Sequence, residues 1–133
     1  MRPYRGLTKE GKWVYGWYCE IIDGKSLIIR DKSILTHPRG FIYDFDEVIP
    51  KTVGQFTGLK DKNGTEIYEG DIVKADWRTG WRTGKWEIVF SDGGFMMNII
   101  PDAHAQIFIQ NEFVEVIGNI HQNPELIEVK DNG

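Results

Sequence analysis

The stretch that decides the fold lies at residues 55–73 and reads QFTGLKDKNGTEIYEGDIV. Its centre is an Asn-Gly pair, Asn63-Gly64, with short apolar or β-branched segments on both sides. Asn-Gly is the strongest short-range signal for a β-hairpin, because both residues accept a positive φ. A second turn at Gly70-Asp71 leads into an apolar strand. The stretch therefore predicts a hairpin followed by a turn into a third strand.

The same pattern of strand and turn continues on both sides of this stretch. On the N-terminal side, the aromatic run at 13–22 and the apolar run at 26–30 flank Asp23-Gly24, which predicts a second hairpin of the type with positive φ at both central residues. On the C-terminal side, residues 85–90 alternate, residues 107–109 predict a short strand, and residues 112–121 alternate with Val114, Val116, Gly118 and Ile120 on one face. No segment shows three turns of helical periodicity.

These elements predict a mainly β protein. Strands that recur every eight to twelve residues are typical of a small barrel or sandwich. The turn and strand at 68–73 is the kind of segment that opens a strand in SH3-like barrels. We therefore predict a C-terminal domain over 55–133, containing a small SH3-like β-barrel at about 55–122, and a β-rich N-terminal region over 1–54.

Composition excludes several classes of protein. The chain has 133 residues, of which 41% are hydrophobic and 27% charged, so it can form a packed core. Its single cysteine, Cys19, excludes an intrachain disulfide framework and a multi-cysteine metal site. The apolar runs are only a few residues long, so no membrane span is expected. The net charge of −4 argues against nucleic-acid binding by the whole surface, although not by a local basic patch.

The stretch at 55–73 resembles the signature of the YopX family, small proteins of phages and prophages of Gram-positive bacteria. The family pattern reads Q-F/Y-T-G-L-K-D-K-N-G-K-x-I-Y-E-G-D-I-V, and this chain departs from it only at Thr65, where Lys is usual. Residues 11–16 and 116–126 fit as well, so the resemblance spans nearly the whole chain. It implies a mostly β accessory protein made in an infected or lysogenic bacterial cell, with no catalytic residues to carry over. We expect a cytoplasmic location and no cofactor.

Several side chains suggest chemistry, but each also has a structural interpretation. Glu69 and Asp71 could form a metal or catalytic pair, or fix the turn before the third strand. Asp61, Asn63 and Glu66 suggest calcium ligation, but the glycine spacing of an EF-hand loop is not met. We therefore expect both groups to be structural and predict no metal site.

The histidines and the cysteine offer no motif. His37, His104 and His121 lie in separate segments without metal-ligand spacing. Cys19 could pair with a distant histidine as a nucleophile, but its place in an alternating strand favours a buried, unreactive thiol. We therefore do not expect an enzyme.

A basic, tryptophan-bearing strip at 74–87 is the candidate functional surface. Its four cations face two carboxylates, a local net charge of +2, so the rest of the chain carries −6. A repeated Trp-Arg-Thr-Gly tetrapeptide lies at 77–84, and Trp86 follows it. The candidate binding residues are Lys74, Trp77, Arg78, Trp81, Arg82 and Lys85.

Three interpretations of this strip stay open. Exposed Trp and Arg are typical of protein-binding hot spots. They also stack on bases while cations follow the phosphates. Alternatively, Trp77 and Trp86 pack inward and only Trp81 lies at the tip with the arginines. We expect a non-enzymatic protein that binds a host or phage protein, since the acidic remainder repels nucleic acid. Open strand edges suggest a homo-oligomer, and nucleic-acid binding is the alternative.

Overall fold

The computed structural model describes residues 3–30, 44–75, 84–101 and 105–127. Most of the regular structure in these ranges is β, which confirms the predicted class. The strands are β1 (Tyr4–Leu7), β2 (Trp13–Glu20), β3 (Ser26–Ile29), β4 (Phe45–Val48), β5 (Gly54–Lys60), β6 (Glu66–Tyr68), β7 (Asp71–Ala75), β8 (Gly84–Ser91), β9 (Gly94–Ile99), β10 (Gln106–Phe108) and β11 (Val114–Asn119). Short 3-10 helices lie at Pro50–Thr52, Asn111–Phe113 and Pro124–Leu126. None of the helical segments described has the length and hydropathy needed to cross a bilayer.

The chain divides into two compact units, Met1–Phe56 and Thr57–Gly133. In the first unit the strands follow the order β4-β3-β2-β1-β5, and the part of β5 that belongs to the second unit pairs with β6. The second unit also contains a five-stranded sheet in the order β10-β9-β8-β7-β11. The described pairings in both sheets are antiparallel. The assignment of 1–54 and 55–133 as separate domains stays a prediction.

Each unit has its own apolar cluster, built by alternation along the strands. In the first unit, Val14, Ile28 and Val48 are buried together. In the second, the cluster is larger and takes residues from most of the strands: Ile67, Val73, Ala75, Trp86, Ile88, Met97 and Val114. Trp86 and Ile88 lie on the same face of β8, as their alternation predicts. This larger cluster defines the inner face of the five-stranded sheet.

The predicted barrel over 55–122 is wrong. Within the described residues, β10 and β11 are the two end strands of the five-stranded sheet, and β5 and β6 belong to the other sheet. A barrel requires its first and last strands to pair, which leaves no edge. The second unit therefore contains an open sheet, and its likeness to an SH3 fold stays a prediction.

The hairpins form at the predicted Asp23-Gly24 and Asn63-Gly64 turns, but each loop has three residues and not two. At Asn63-Gly64, the N–H of Asp61 donates to the carbonyl of Thr65 at 2.8 Å, which encloses a three-residue loop with Gly64 at φ +84°. The Asp23-Gly24 hairpin is closed in the same way, and only its glycine has a positive φ. Positive φ at both positions, which was predicted for Asp23-Gly24, occurs instead at Asp92-Gly93, between β8 and β9.

The last strand departs from its predicted alternation. Val116 lies opposite Val73 of β7, but Gly118 lies opposite Ile72, so a bulge at Ile117 shifts the register. A bulge places an extra residue in one strand and moves the following side chains to the other face. The prediction that Gly118 shares a face with Val114 and Val116 is therefore wrong.

Candidate functional site

The structure places two of the six predicted binding residues side by side. Lys74 of β7 and Lys85 of β8 are direct cross-strand partners. Lys74 is exposed and Lys85 is half-buried. Glu115 of β11 lies on the other side of Lys74 and supplies an opposite charge. Trp77, Arg78, Trp81 and Arg82 lie outside the described residues, so their role stays a prediction.

The third tryptophan of the basic strip is not a surface residue. Trp86 is 2% exposed and packs in the core of the second unit. Its cross-strand partner is Val73, which is also buried. For this residue the structure agrees with inward packing, so the strip is less aromatic on its surface than the sequence suggests.

The outer face of the five-stranded sheet is the side opposite its core. Because side chains alternate along a strand, the neighbours of each core residue point to this side. The paired residues of this face form rows across the strands. Its members considered below are Lys74, Lys85, Glu87, Val89, Met96, Asn98, Gln106, Phe108 and Glu115.

One row of the outer face is apolar. Met96 of β9 lies between Phe108 of β10 and Val89 of β8. Phe108 is 73% exposed, while the other two are half-buried. A large aromatic side chain left this open at the end of a sheet has apolar surface available to a partner. We call this set of three residues the apolar row.

The next row is polar. Gln106 of β10 donates through Nε2 to Oδ1 of Asn98 at 2.6 Å, and Glu87 of β8 lies on the other side of Asn98. Burial raises the pKa of the Glu87 carboxyl above its ordinary value, and the negative charge of Glu69 raises it further. The apolar row is thus bordered by hydrogen-bonding groups.

The edge of the sheet next to Phe108 has backbone groups directed outward. Ile99 N–H donates to the carbonyl of Ala105 at 2.9 Å, which marks a hydrogen-bonded pair. Such pairs recur at every second residue of an antiparallel ladder, so Ile107 directs its backbone groups toward Met97. The N–H and C=O of Gln106 and Phe108 therefore point away from β9.

A depression continues from this edge. It is open to solvent, has a volume of about 270 Å³ and lies directly after β10 in the sequence. Its lining residues are Ile109, Gln110, Asn111, Glu112 and Phe113. Asn111 donates from Nδ2 to the carbonyl of Lys60 at 2.9 Å, which anchors this segment to the end of β5. The edge strand thus adjoins a concave surface of its own chain.

Asp61 and Asp71, considered above as possible metal ligands, form hydrogen bonds that stabilise the fold. Asp71 is 1% exposed, and its Oδ2 accepts the N–H of Tyr68 at 2.8 Å, so it holds the turn that precedes β7. Asp61 accepts three backbone N–H groups, those of Asn63, Thr65 and Val116, at 2.8 to 2.9 Å. These bonds occupy both of its carboxylate oxygens. In the part of the chain that the structure describes, no three His, Cys, Asp or Glu side chains are grouped as metal ligands.

The remaining candidates are not brought together. Cys19 is half-buried and not fully buried as predicted, because it lies on the half-buried face of β2 near the strand's end. Its Sγ is 4.0 Å from the carbonyl of Glu20. His121 lies beside Gly70. His37 and His104 lie outside the described residues.

The edge at β10 was not singled out from the sequence. Residues 107–109 were predicted only as a short strand, which is correct in type. The available signal was the uncharged run AQIFIQ at 105–110, because edge strands normally carry charges or proline. That signal becomes useful only once the sheet order shows that this strand lies at an edge.

Comparison with known proteins identifies similar chains. The family model described as YopX protein matches residues 3–128. The SPbeta prophage-derived uncharacterized protein YopX of Bacillus subtilis (strain 168) is 30% identical over 127 residues, which cover 90% of this chain and 92% of that protein.

Two solved structures are also similar. Protein EF1440 from Enterococcus faecalis shares 32% identity with a TM-score of 0.59, and the match covers 96% of this chain and 99% of that one. The crystal structure of yopX from Bacillus subtilis gives 20% identity and a TM-score of 0.59, over 95% and 98% of the two chains. At 20% identity, this likeness concerns the fold alone.

Proposed function

The chain belongs to the YopX family, and from this premise we propose that it is a non-enzymatic accessory protein of a phage or prophage that acts by binding a partner protein. The observation that carries the proposal is the exposed Phe108 on the edge strand β10. A relative that is prophage-derived supports the phage setting, and we propose the cytoplasm of a host bacterium as the place of action.

The apolar row has the composition of an interface core. Aromatic side chains and Met are enriched in such cores, and a few aromatic anchors supply most of the binding free energy. Phe108 provides the anchor, with Met96 beside it. The polar row of Gln106, Asn98 and Glu87 then corresponds to the rim, where hydrogen bonds fix the orientation of a partner.

The edge strand offers a second kind of contact. A partner segment in extended conformation can add to an open sheet edge through main-chain hydrogen bonds, while pockets beside the edge select its side chains. Gln106 and Phe108 direct their backbone groups outward, and the depression at 109–113 lies next to them. The apolar contact at Phe108 and the strand addition therefore both use β10.

We expect a photoreactive benzoylphenylalanine at position 108 to crosslink to protein in bacterial cells that carry the phage. The matched control is the same residue at position 45, because Phe45 also lies on an end strand and is 42% exposed, but has the carboxylates of Asp44 and Asp46 as neighbours. The yield at 108 should exceed the yield at 45 by tenfold or more and should survive nuclease treatment. Equal yields at the two positions would contradict the proposal.

Nucleic-acid binding is the second candidate. Its supporting observation is the adjacent pair Lys74 and Lys85, which brings two cations together on β7 and β8, the strands that precede and follow the tryptophans and arginines of the repeated tetrapeptide. Two cations placed directly opposite each other are unfavourable unless an anion is near. Glu115 already lies next to Lys74, which is why we rank this function second.

We expect short single-stranded DNA or RNA, if this second function holds, to bind with strong salt dependence. Arg78→Ala combined with Arg82→Ala should weaken binding by tenfold or more and lower the salt slope by about 2, since each lost phosphate contact removes nearly one unit. Lys60→Ala combined with Lys62→Ala removes two exposed cations elsewhere and serves as the control. No binding at low salt, by fluorescence anisotropy, would remove this candidate.

A further inference from the structure

We propose that the partner at the β10 edge is a second copy of this chain, joined through an antiparallel β10–β10 pairing with its two-fold axis at Ile107. This inference rests on the proposed function, because it uses the same edge and the same Phe108. It adds the identity of the partner, the register and the symmetry.

The backbone pattern of β10 is self-complementary. With the axis at Ile107, Gln106 of one copy lies opposite Phe108 of the other, and the reverse holds on the other side. Gln106 and Phe108 are the residues whose N–H and C=O point away from β9. Two residues that face each other in this way exchange both of their backbone hydrogen bonds. The pairing therefore forms four hydrogen bonds without a change in the backbone of β10. The Phe108 carbonyl now accepts a long contact of 3.4 Å from Nε2 of the exposed Gln110, and this side chain would rotate away on pairing.

The side chains fit the same register. Gln106 and Phe108 lie on the outer face, so each Phe108 ring would be placed beside Gln106 of the other copy. Gln106 donates one of its two Nε2 hydrogens to Asn98 at 2.6 Å, so the ring would lie beside an amide whose position is already fixed by a hydrogen bond. The exposed ring would lose contact with water on the side where it is open now.

At the other end strands of the described sheets, charges or existing hydrogen bonds disfavour pairing with a further strand, which leaves β10 as the available edge. At β4, Asp46 and Glu47 lie in the strand, and Arg30 forms ion pairs with Asp44 and Asp46. Charges at an edge disfavour strand addition. Residues 105–110 contain neither a charge nor a proline.

The end strand β11 is guarded by its own chain. The carbonyl of Val114 accepts the N–H of Lys62 at 3.1 Å, and the N–H of Val116 donates to the Asp61 carboxylate at 2.9 Å. The bulge at Ile117 twists the rest of the edge away from regular pairing. At β6, the N–H of Tyr68 is taken by the Asp71 carboxylate. Strand addition by a second copy is thus directed to β10.

The short length of β10 sets the expected strength. A stable protein interface buries about 1,600 Å² in total, and pairing of one three-residue strand with its neighbours covers less than that. We therefore expect a dimer with a dissociation constant in the micromolar range, which forms at high local concentration.

Light scattering and sedimentation of the full chain between 1 and 500 µM, a range chosen to bracket micromolar affinity, test this. We expect the mass to rise from 15.4 kDa toward twice that value. Gln106→Lys combined with Phe108→Lys places cations opposite each other twice across the axis, and it should weaken the dimer by tenfold or more. Gln106→Glu combined with Phe108→Glu should do the same through like negative charges.

The decisive sample is the equimolar mixture of these two variants. Lys and Glu then face each other at both pairs, so the mixture should dimerise although each variant alone stays monomeric. Misfolding cannot produce this rescue, and a melting temperature near that of the parent chain checks each variant. A parent chain that stays at 15.4 kDa, or a dimer that persists in either variant alone, would overturn the inference. Crosslinking from position 108 to a different protein, with a monomeric chain, would leave the proposed function standing and remove only self-pairing.

Discussion

Gly16→Ala is expected to lower the free energy of unfolding by about 4 kcal/mol or more, or to prevent folding of the first unit. Gly16 lies in β2, opposite Tyr4 of β1. A methyl group at this position would collide with the carbonyl oxygen of Ile29 and lie 2.9 Å from its carbonyl carbon. Both atoms belong to the backbone of the adjacent strand β3, so no side-chain rotation can relieve the overlap.

The loss of stability in Gly16→Ala arises because the backbone of Ile29 would have to move. Ile29 is 1% exposed and forms the register pair with Trp17, so shifting its backbone separates β2 from β3 and exposes buried apolar surface. Urea denaturation and amide exchange at residues 26–29 measure the effect.

Two other glycines provide controls for this substitution. At Gly24 an added methyl meets open space, but φ is +86°, so Gly24→Ala should cost only the left-handed backbone strain of about 1 to 2 kcal/mol. At Gly94 the space is open as well and no positive φ applies, so Gly94→Ala should be nearly neutral. If Gly16→Ala proved as mild as Gly94→Ala, the close approach of the two strands would be wrong.

Asp61→Ala is expected to lower the free energy of unfolding by about 3 kcal/mol, because backbone donors inside the fold would lose a charged acceptor. Asp61 is 6% exposed. Its Oδ1 accepts the N–H groups of Asn63 and Thr65, and its Oδ2 accepts that of Val116, 55 residues away. The first two bonds hold the hairpin loop, and the third joins this loop to β11.

Protection of individual amides from hydrogen exchange distinguishes the loss of the Asp61–Val116 bond from a general loss of stability. In Asp61→Ala, amide exchange at Val116 should accelerate more than exchange at the inner-face residue Ile88. Asp23→Ala is the matched control, because Asp23 accepts one N–H, that of Lys25 at 3.1 Å, at an exposed loop of the same kind. It should cost less than about 1 kcal/mol. Unchanged protection at Val116 would show that the carboxylate does not hold β11.

The strands and the turns between them could be predicted from the sequence, because they depend on residues that are close together in the chain. Alternation placed Trp86 and Ile88 on one face, and the structure buries both. Asn63-Gly64 marked a hairpin because glycine accepts the left-handed conformation that the loop requires. The resemblance of 55–73 to the YopX family is confirmed by the family match over 3–128.

The candidate site was predicted less well. Lys74 and Lys85 of the basic strip are neighbours on one face, but Trp86 belongs to the core. Phe108 was assigned to a short strand without any hint that the strand would lie at an edge. Local patterns show which residues share a face of a strand, whereas they do not show which strand lies beside it or whether any does.

The sequence by itself therefore determined the mainly β class, the places where the chain turns, and the family. Only the tertiary structure decided that the C-terminal sheet stays open, that Gly16 lies against the backbone of β3, and that Asp61 reaches Val116. The physical reason is that these features depend on the order and register of strands distant in sequence. A single bulge at Ile117 changes the partners of Gly118 and Asn119, the residues of β11 that follow it.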